Sequence, residues 1–590
     1  MKLPAVFLSV TLSILSFISI AQPVIYANQI GFDANGPKIA VVSLDHKLTR
    51  KTTFNLVNTT TYNTEFTGTL NRPQNIDEWT PGKIYYQADF SSFKKIGKYC
   101  VQITIAGKTY KSWPFIIEEA ALAKLTLSSI IHYYNKQRAN TPQELAADKH
   151  MHLQGGGDKT VDMHGGWCDA SGDVSKYFSH LAYANFMSPQ QTPLVTWSMV
   201  SASEAIPGLL MKWNIKDSLD NEALYGADYM MRALSKDDYF YMIIFSYFNK
   251  DPNARRVVGL RANSVTTDEY QCAFREGGGM AIAALARISQ WKKNGEFTSQ
   301  QYLDGAKRAF AHLLINNTRY DDDGKENIID DYCALMAATE LWIATDSSLY
   351  RDEARKRAQN LDKRMSAEGY FIANDANRPY WHASDAGLPV VALSRYLIKE
   401  KDEVQRSAAL STIKKALDYN IAVTHKVSNP FGYARQSFLY KEAIKDGFFI
   451  PHDNETGWWW QGEDARLGSL ATAALVGGKL VYPAKRNWGV EAPLAIFASQ
   501  QVSWILGCNP YSMCFMYGFG KNNVPYMHSN FGHGSEKGGI SNGITGKKNT
   551  GDGSGIEYKT EDNGNEWRWT EQWIPHAAWF LQAISAMAER

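Results

Sequence analysis

The sequence predicts two architectures in series, an immunoglobulin-like β-sandwich followed by an all-α toroid of paired helices. Two patterns predict it. From residue 24 to about residue 118, roughly seven short runs of β-forming residues are punctuated by Gly, Pro and Asn. Beyond residue 118 the apolar residues follow the helical 3.6-residue period, as in Ala334-Leu-Met-Ala-Ala-Thr-Glu-Leu-Trp342, and no strand alternates with the helices.

Taken in order, residues 1–21 read as a secretory signal peptide. Lys2 supplies a short positive region, residues 6–20 form an apolar run, and Ser19 and Ala21 are small where a signal peptidase cuts. That run is short for a bilayer span, no later stretch is long enough, and no cysteine follows the cut to carry a lipid. A periplasmic or secreted protein is expected. Residues 22–118 form the sandwich, with runs at 38–43, 53–57, 84–89 and 99–104. Residues 119–590 form the helical domain. Helices are predicted at 222–235, 277–293, 299–315, 331–345, 350–365, 387–399, 404–424, 464–476, 492–507 and 571–589. Ten or more helices in succession favour pairs closed into a toroid, with a cleft built by the loops at one end.

Composition narrows the chemistry. A 590-residue chain with 44% hydrophobic and 21% charged residues is an ordinary globular protein of more than one domain. Its net charge of +2 gives no basis for nucleic-acid binding. The 17 Trp and 31 Tyr fill cores, but they also form the flat surfaces on which sugar rings stack. Six scattered cysteines (Cys100, Cys168, Cys272, Cys333, Cys508 and Cys514) have neither disulfide-framework nor zinc spacing. Only Cys508 and Cys514 are near enough in sequence to suggest a bridge, and buried free thiols are the equal alternative. Phosphate-binding loops, nucleophile elbows and His-Glu-x-x-His zinc helices have no match.

Four loop segments carry candidate groups. In Gly165-Gly-Trp-Cys-Asp-Ala-Ser-Gly-Asp-Val-Ser-Lys-Tyr177, small residues surround Asp169 and Asp173, and Trp167 and Tyr177 flank them as stacking surfaces for a sugar. Carboxylates that cap a helix or satisfy backbone donors would look similar. Asn429-Pro-Phe-Gly-Tyr433 is a turn presenting aromatics. Phe448-Phe-Ile-Pro-His-Asp-Asn-Glu-Thr-Gly-Trp-Trp-Trp-Gln-Gly-Glu-Asp464 combines His452, Asp453, Glu455 and Glu463 with Trp458, Trp459 and Trp460, part of which should line a groove. Finally, Glu566-Trp-Arg-Trp-Thr-Glu-Gln-Trp-Ile-Pro-His576 places Glu571 at the start of the last helix, among Trp567, Trp569 and Trp573. There a glutamate either complements the helix dipole or, partly desolvated, keeps a proton for a glycosidic oxygen. Asp169 and Asp173, in an open polar turn, are expected to stay ionised. This division of roles fits inverting hydrolysis, with carboxyls roughly 6.5–9.5 Å apart. The acidic run Asp321-Asp-Asp-Gly324 offers oxygen ligands for a structural calcium but lacks a full calcium-loop spacing, so a solvated turn and no cofactor are expected.

These segments, in this order, resemble glycoside hydrolase family 9, the inverting cellulases and related β-glycanases. Tyr26-Ala-Asn-Gln-Ile-Gly-Phe32 looks like the opening of that family's immunoglobulin-like domain, and Gly165 to Tyr177 is similar to its Gly-Gly-Trp-x-Asp-Ala-Gly-Asp motif. Residues 331–345, Asn429-Pro-Phe-Gly-Tyr433 and Gly507-Cys-Asn-Pro-Tyr-Ser-Met513 also fit its patterns. The resemblance implies an (α/α)6 barrel as the catalytic domain, with Asp173 as base, Asp169 holding the water, and Glu571 as general acid. Glu566 is the alternative acid. Two departures stand out. One extra residue separates the aspartates, and the family's His-His-Arg motif appears only as Met527-His-Ser-Asn530, leaving His528 as the substrate-binding candidate. The implied substrate is a β-linked glucan or related polysaccharide. Alternatives are another glycan, from a host or a bacterial exopolysaccharide, and a non-catalytic glycan-binding role. A lyase on a similar toroid would need basic or tyrosine groups against a uronate. Oligomeric state is not legible.

Overall fold

The computed structural model describes residues 22–180, 188–247, 251–261, 265–453, 461–528 and 532–589. The proposed signal peptide, Glu455 and Trp458 to Trp460 lie outside these residues. Nine strands come first: β1 (Val24–Tyr26), β2 (Gly31–Asp33), β3 (Ile39–Leu44), β4 (Thr53–Asn58), β5 (Thr64–Thr69), β6 (Ile84–Asp89), β7 (Gly97–Ile105), β8 (Lys108–Lys111) and β9 (Phe115–Glu118). One sheet has the order β1-β3-β6. The other runs β2-β9-β7-β4-β5, with β8 paired to β7. All pairs are antiparallel except β2 with β9. Register puts Phe54 opposite Ile103 and Leu56 opposite Val101, so alternate side chains enter one core with Phe32, Phe90, Phe115 and Ile117.

After β9 the chain turns at Ala120, which adopts a left-handed conformation, into a helical domain. Its longer helices are α1 (Ala121–Gln137), α2 (Thr192–Ala205), α3 (Lys216–Ala233), α4 (Gly279–Ser289), α5 (Ser299–Tyr320), α6 (Ile328–Thr345), α7 (Ser348–Lys363), α8 (Leu388–Lys399), α9 (Glu403–His425), α10 (Asp464–Val481), α11 (Ala492–Ile505) and α12 (Ile574–Ala588). The even-numbered helices pack in succession: α2 on α4, α4 on α6, α6 on α8, α8 on α10, α10 on α12 and α12 back on α2. α3, α5 and α7 lie against α2, α4 and α6, while α9 and α11 lie against α10 and α1 against α12. Sequence follows position. α4 and α12 are buried on every face and largely apolar, whereas α5 and α7 bury a single stripe.

Two features depart from the sequence reading. α2 went unread because its Thr-, Val- and Ser-rich run has poor intrinsic helix propensity, and packing on both neighbours supplies the stability. The helical domain also carries strands, notably Lys176–Tyr177, Ile243–Phe245, Arg256–Arg261 and Val265–Thr267 in one small sheet. The six cysteines are all buried and free, so Cys508 and Cys514 form no bridge.

The sandwich docks on the helical domain through aromatics. Trp79 packs on Phe448, with ring centroids 4.5 Å apart, and on Trp504 at 5.6 Å, while Tyr26 meets Phe431 edge-on. The aromatics of Asn429-Pro-Phe-Gly-Tyr433 therefore serve this interface rather than a cleft. The acidic run at 321–323 is a solvated turn only in part: Asp321 is buried, while Asp323 and Gly324 are exposed. The Arg275 guanidinium lies among it, 3.0 Å from Asp321 and 3.1 Å from both Asp322 and Asp323. The positive charge these aspartates face comes from the chain.

Beneath the aspartate-bearing loop lies a second buried charge cluster. Lys176 Nζ donates to Asp148 at 2.7 Å and to the carbonyls of Met163 and Gly165. Arg255 donates to the other Asp148 oxygen and to the carbonyls of Val174 and Pro252. All three side chains are fully buried. Breaking a buried pair leaves an uncompensated charge and costs about 3–5 kcal/mol. Asp148→Asn is accordingly expected to lower unfolding free energy by about that amount in denaturant titration, and an unchanged midpoint would show the cluster to be dispensable.

Candidate active site

The segment from Gly165 to Tyr177 folds as a turn anchored at both ends. Gly172 takes φ 87°, a conformation side chains resist, and the Asp173 N–H closes the turn onto the Ala170 carbonyl at 3.1 Å. Asp169 and Asp173 project from its two sides into different surroundings. Asp169 is only 6% exposed, and its Oδ1 accepts from Trp573 Nε1 at 3.0 Å and from Gln191 Nε2. Burial first, and then the charges of Asp173 and Glu571, push its carboxyl well above the usual range. This corrects the expectation of an ionised group in an open polar turn. Asp173 is half-buried, and its Oδ1 accepts from the Ser175 N–H at 2.9 Å and from the Ser246 hydroxyl at 3.1 Å.

Glu571 does not begin the last helix. It lies in an extended segment, φ −69° and ψ 131°, and α12 starts three residues later. Proline explains the difference. A helix begun at Glu571 would need an N–H from Pro575 for the Glu571 carbonyl, and proline has none. That carbonyl instead accepts the Asn542 N–H at 2.9 Å, and Pro575 occupies the first turn of α12. The extended segment runs beside the aspartate turn, Trp573 bridging to Ala170.

These groups meet in one cavity of about 720 Å³. Asp169, Asp173, Glu566 and Glu571 line it together with His528, Tyr526, Trp567 and Trp573. Among the described lining residues there are four carboxylates and no lysine or arginine. Glu566 reaches the same space from a different anchor, its Oε2 accepting the Gly564 N–H at 2.9 Å. His528 stands edge-on to the Tyr526 ring, 4.6 Å between centroids.

Three expected substrate contacts are corrected. Trp167 is buried, donating its indole N–H to Glu222 at 2.8 Å and packing edge-on to Tyr134 and Tyr225. An indole flanked by glycines finds its partner inward. Tyr177 is also buried, in a strand paired with Ile243–Phe245, its ring against His180 and Phe245. Glu463 belongs to the core: it pairs with Arg466 and accepts from the Ile450 N–H at 2.7 Å and the Tyr433 hydroxyl at 3.2 Å. Of its neighbours, His452 is buried and Asp453 exposed. Gln191, Ser246 and Trp573 went unassigned because their roles depend on contacts 22, 73 and 404 residues away.

Among the described residues, one group of metal-ligand types converges, namely Glu144, Cys168 and His533, buried behind the turn. There His533 Nε2 and Glu144 Oε1 are 2.6 Å apart and form an ion pair. Burial opposes charge on both, but Cys168 and Glu144 beside His533 push it up to about 11, and His533 and Thr141 hold Glu144 at about 2.

Comparisons with known proteins bear on the family and the fold. The family described as glycosyl hydrolase family 9 matches residues 124–566, and the cellulase N-terminal ig-like domain matches residues 21–108. Endoglucanase 8 of Oryza sativa subsp. japonica is 23% identical over 383 residues, 62% of this chain and 66% of that protein. Endoglucanase 1 of Arabidopsis thaliana is 23% identical over 411 residues, covering 67% and 74%. The chain thus spans between about two thirds and three quarters of these relatives. Among solved structures, a metagenome-derived glycoside hydrolase family 9 endoglucanase superposes with a TM-score of 0.67 at 17% identity, over 96% of this chain and 99% of that one. A Bacteroides ovatus family 9 protein gives 0.63 at 19% identity, over 96% and 98%. By its family match over most of its length, and by an immunoglobulin-like domain ahead of a helical one, this chain belongs to glycosyl hydrolase family 9.

Proposed function

We propose that the protein is an extracytoplasmic, inverting glycoside hydrolase that cleaves a β-linked glucan or a related uncharged polysaccharide. The observation that carries this reading is the meeting of Asp169, Asp173 and Glu571 in one cavity, with the segment bearing Glu571 bridged to the aspartate turn. Asp173 takes the proton of a water as that water attacks the anomeric carbon from the face opposite the leaving group. Glu571 gives its proton to the glycosidic oxygen, and a reducing end of inverted configuration results. Asp169, whose ionised form is disfavoured by burial and by the neighbouring carboxylates, lines the same cavity as Asp173 and helps to hold the water. Glu571 is preferred to Glu566 as acid because its extended segment is bridged to the aspartate turn through Trp573 and Ala170.

Residues 119–590 would form the catalytic unit, a six-hairpin (α/α)6 toroid, a reading supported by the cyclic order of helix contacts. Residues 22–118 would brace it. A periplasmic or secreted location is supported by the signal-like run at residues 1–21, and no described helix is long and apolar enough to cross a membrane. The carboxylate-rich wall, without a cation among its described residues, favours an uncharged glycan and disfavours uronate lyase chemistry, which needs positive charge against the substrate carboxylate. A second reading, the same hydrolysis on a different glycan, is favoured by one observation: the segment that resembles the family's His-His-Arg motif reads Met527-His-Ser-Asn530, without the arginine.

Asp173→Asn and Glu571→Gln are each expected to lower kcat by about 10²–10⁴-fold, read as reducing ends released from a polysaccharide panel. Full activity in both variants would refute the assignment. Nuclear magnetic resonance of the first product should show the inverted anomer, whereas retention would exclude this mechanism. Asp169 gives a test by pH. Its folded-state carboxyl binds protons more tightly than in the unfolded chain, so its contribution to stability falls as pH rises above the unfolded value of about 3.9. Asp169→Asn should therefore raise the melting temperature at pH 7, with the gain shrinking towards pH 4, and a gain independent of pH would contradict the linkage.

A further inference from the structure

Asp169 and Asp173 are separated by Ala170, Ser171 and Gly172, one residue more than in the family motif. The longer turn is pinned at its middle. Ser171 is fully buried, and its N–H donates to the Gln572 carbonyl at 2.8 Å. Its Oγ accepts the Gln572 N–H at 2.9 Å, so the residue directly after Glu571 is bound to Ser171 in both directions. The same hydroxyl donates to Met527 Sδ at 3.6 Å, and Met527 and His528 line the cavity. One residue on, the Gly172 N–H donates to the His533 carbonyl at 2.7 Å, and His533 is fixed by its buried pairing with Glu144.

We propose that Ser171 is a positioning residue that sets the separation of Asp173 and Glu571 and ties both to the loop carrying His528. This rests on the assignment of those two carboxyls as base and acid. The backbone bonds alone would hold the two segments side by side. The hydroxyl adds a second bond to Gln572, which restricts sliding, and a contact to a third wall, which restricts rotation. In a reaction where water and two carboxyls must align, displacement by about 1 Å costs on the order of 100-fold in rate. The extra residue is therefore accommodated by giving the longer turn its own anchor.

Ser171→Ala removes the hydroxyl and leaves the backbone bond, so the variant should fold. Its kcat is expected to fall by about 10–100-fold with KM within about threefold of the wild type. Ser171→Thr, which restores the hydroxyl, should recover part of kcat, and thermal unfolding of both variants checks that the folded fraction is unchanged. Wild-type kcat in Ser171→Ala, or a loss confined to KM, would overturn the proposal. Full activity in Asp173→Asn and Glu571→Gln would instead overturn the catalytic assignment, so the two failures are distinct.

Discussion

A single buried carboxylate, Asp148, pairs with both Lys176 and Arg255 beneath the aspartate turn, and the local structure is arranged around that shared contact. The two cations pass their remaining donors to carbonyls at Met163, Gly165, Val174 and Pro252, which belong to two separate stretches of chain. A loop rich in glycine has little packing of its own to define its course. Charged donors inside a low-dielectric interior define it instead, since each bond left unmade there would be costly. The aspartates emerge from a floor whose shape is set electrostatically.

On top of that floor the carboxyls oppose one another. Asp169 is desolvated and faces the fields of Asp173 and Glu571, an arrangement that destabilises its ionised form and is tolerated where chemistry needs it. Indole and carboxamide donors from Trp573 and Gln191 relieve part of the strain on one oxygen. Such a site works against folding stability, and the buried aromatic and helical packing elsewhere offsets the cost.

Much of this was legible in the sequence, for identifiable reasons. The change from strand runs to helical period near residue 118 reflects which faces must be buried, so both architectures could be read, and α6 and α9 were placed to within a few residues. The aspartates could be found because a Gly-rich stretch around two acids has few structural uses. Exposure was misjudged where it depended on distant partners. Trp167 turns inward to Glu222, Tyr177 joins a strand, and Glu463 meets Arg466 in the core. Helical periodicity continues through Glu571 and predicts a helix there, while Pro575 sets the true start. The anchoring role of Ser171 depends on a partner 401 residues away, which no local pattern encodes.

The 404-residue separation between Asp169 and Trp573 has a bearing on how the protein comes into being. Closing a loop of that length costs only about 2 kcal/mol more than closing one a tenth as long, so equilibrium stability barely registers it. Folding order does register it. Strand pairing in the sandwich and the packing of neighbouring helices rest on contacts close in sequence, whereas the cavity exists only once α12 and the segment before it have docked on α2 and the aspartate turn. Appearance of the cavity during refolding would thus mark the final closure of the ring, separately from the helix content that precedes it.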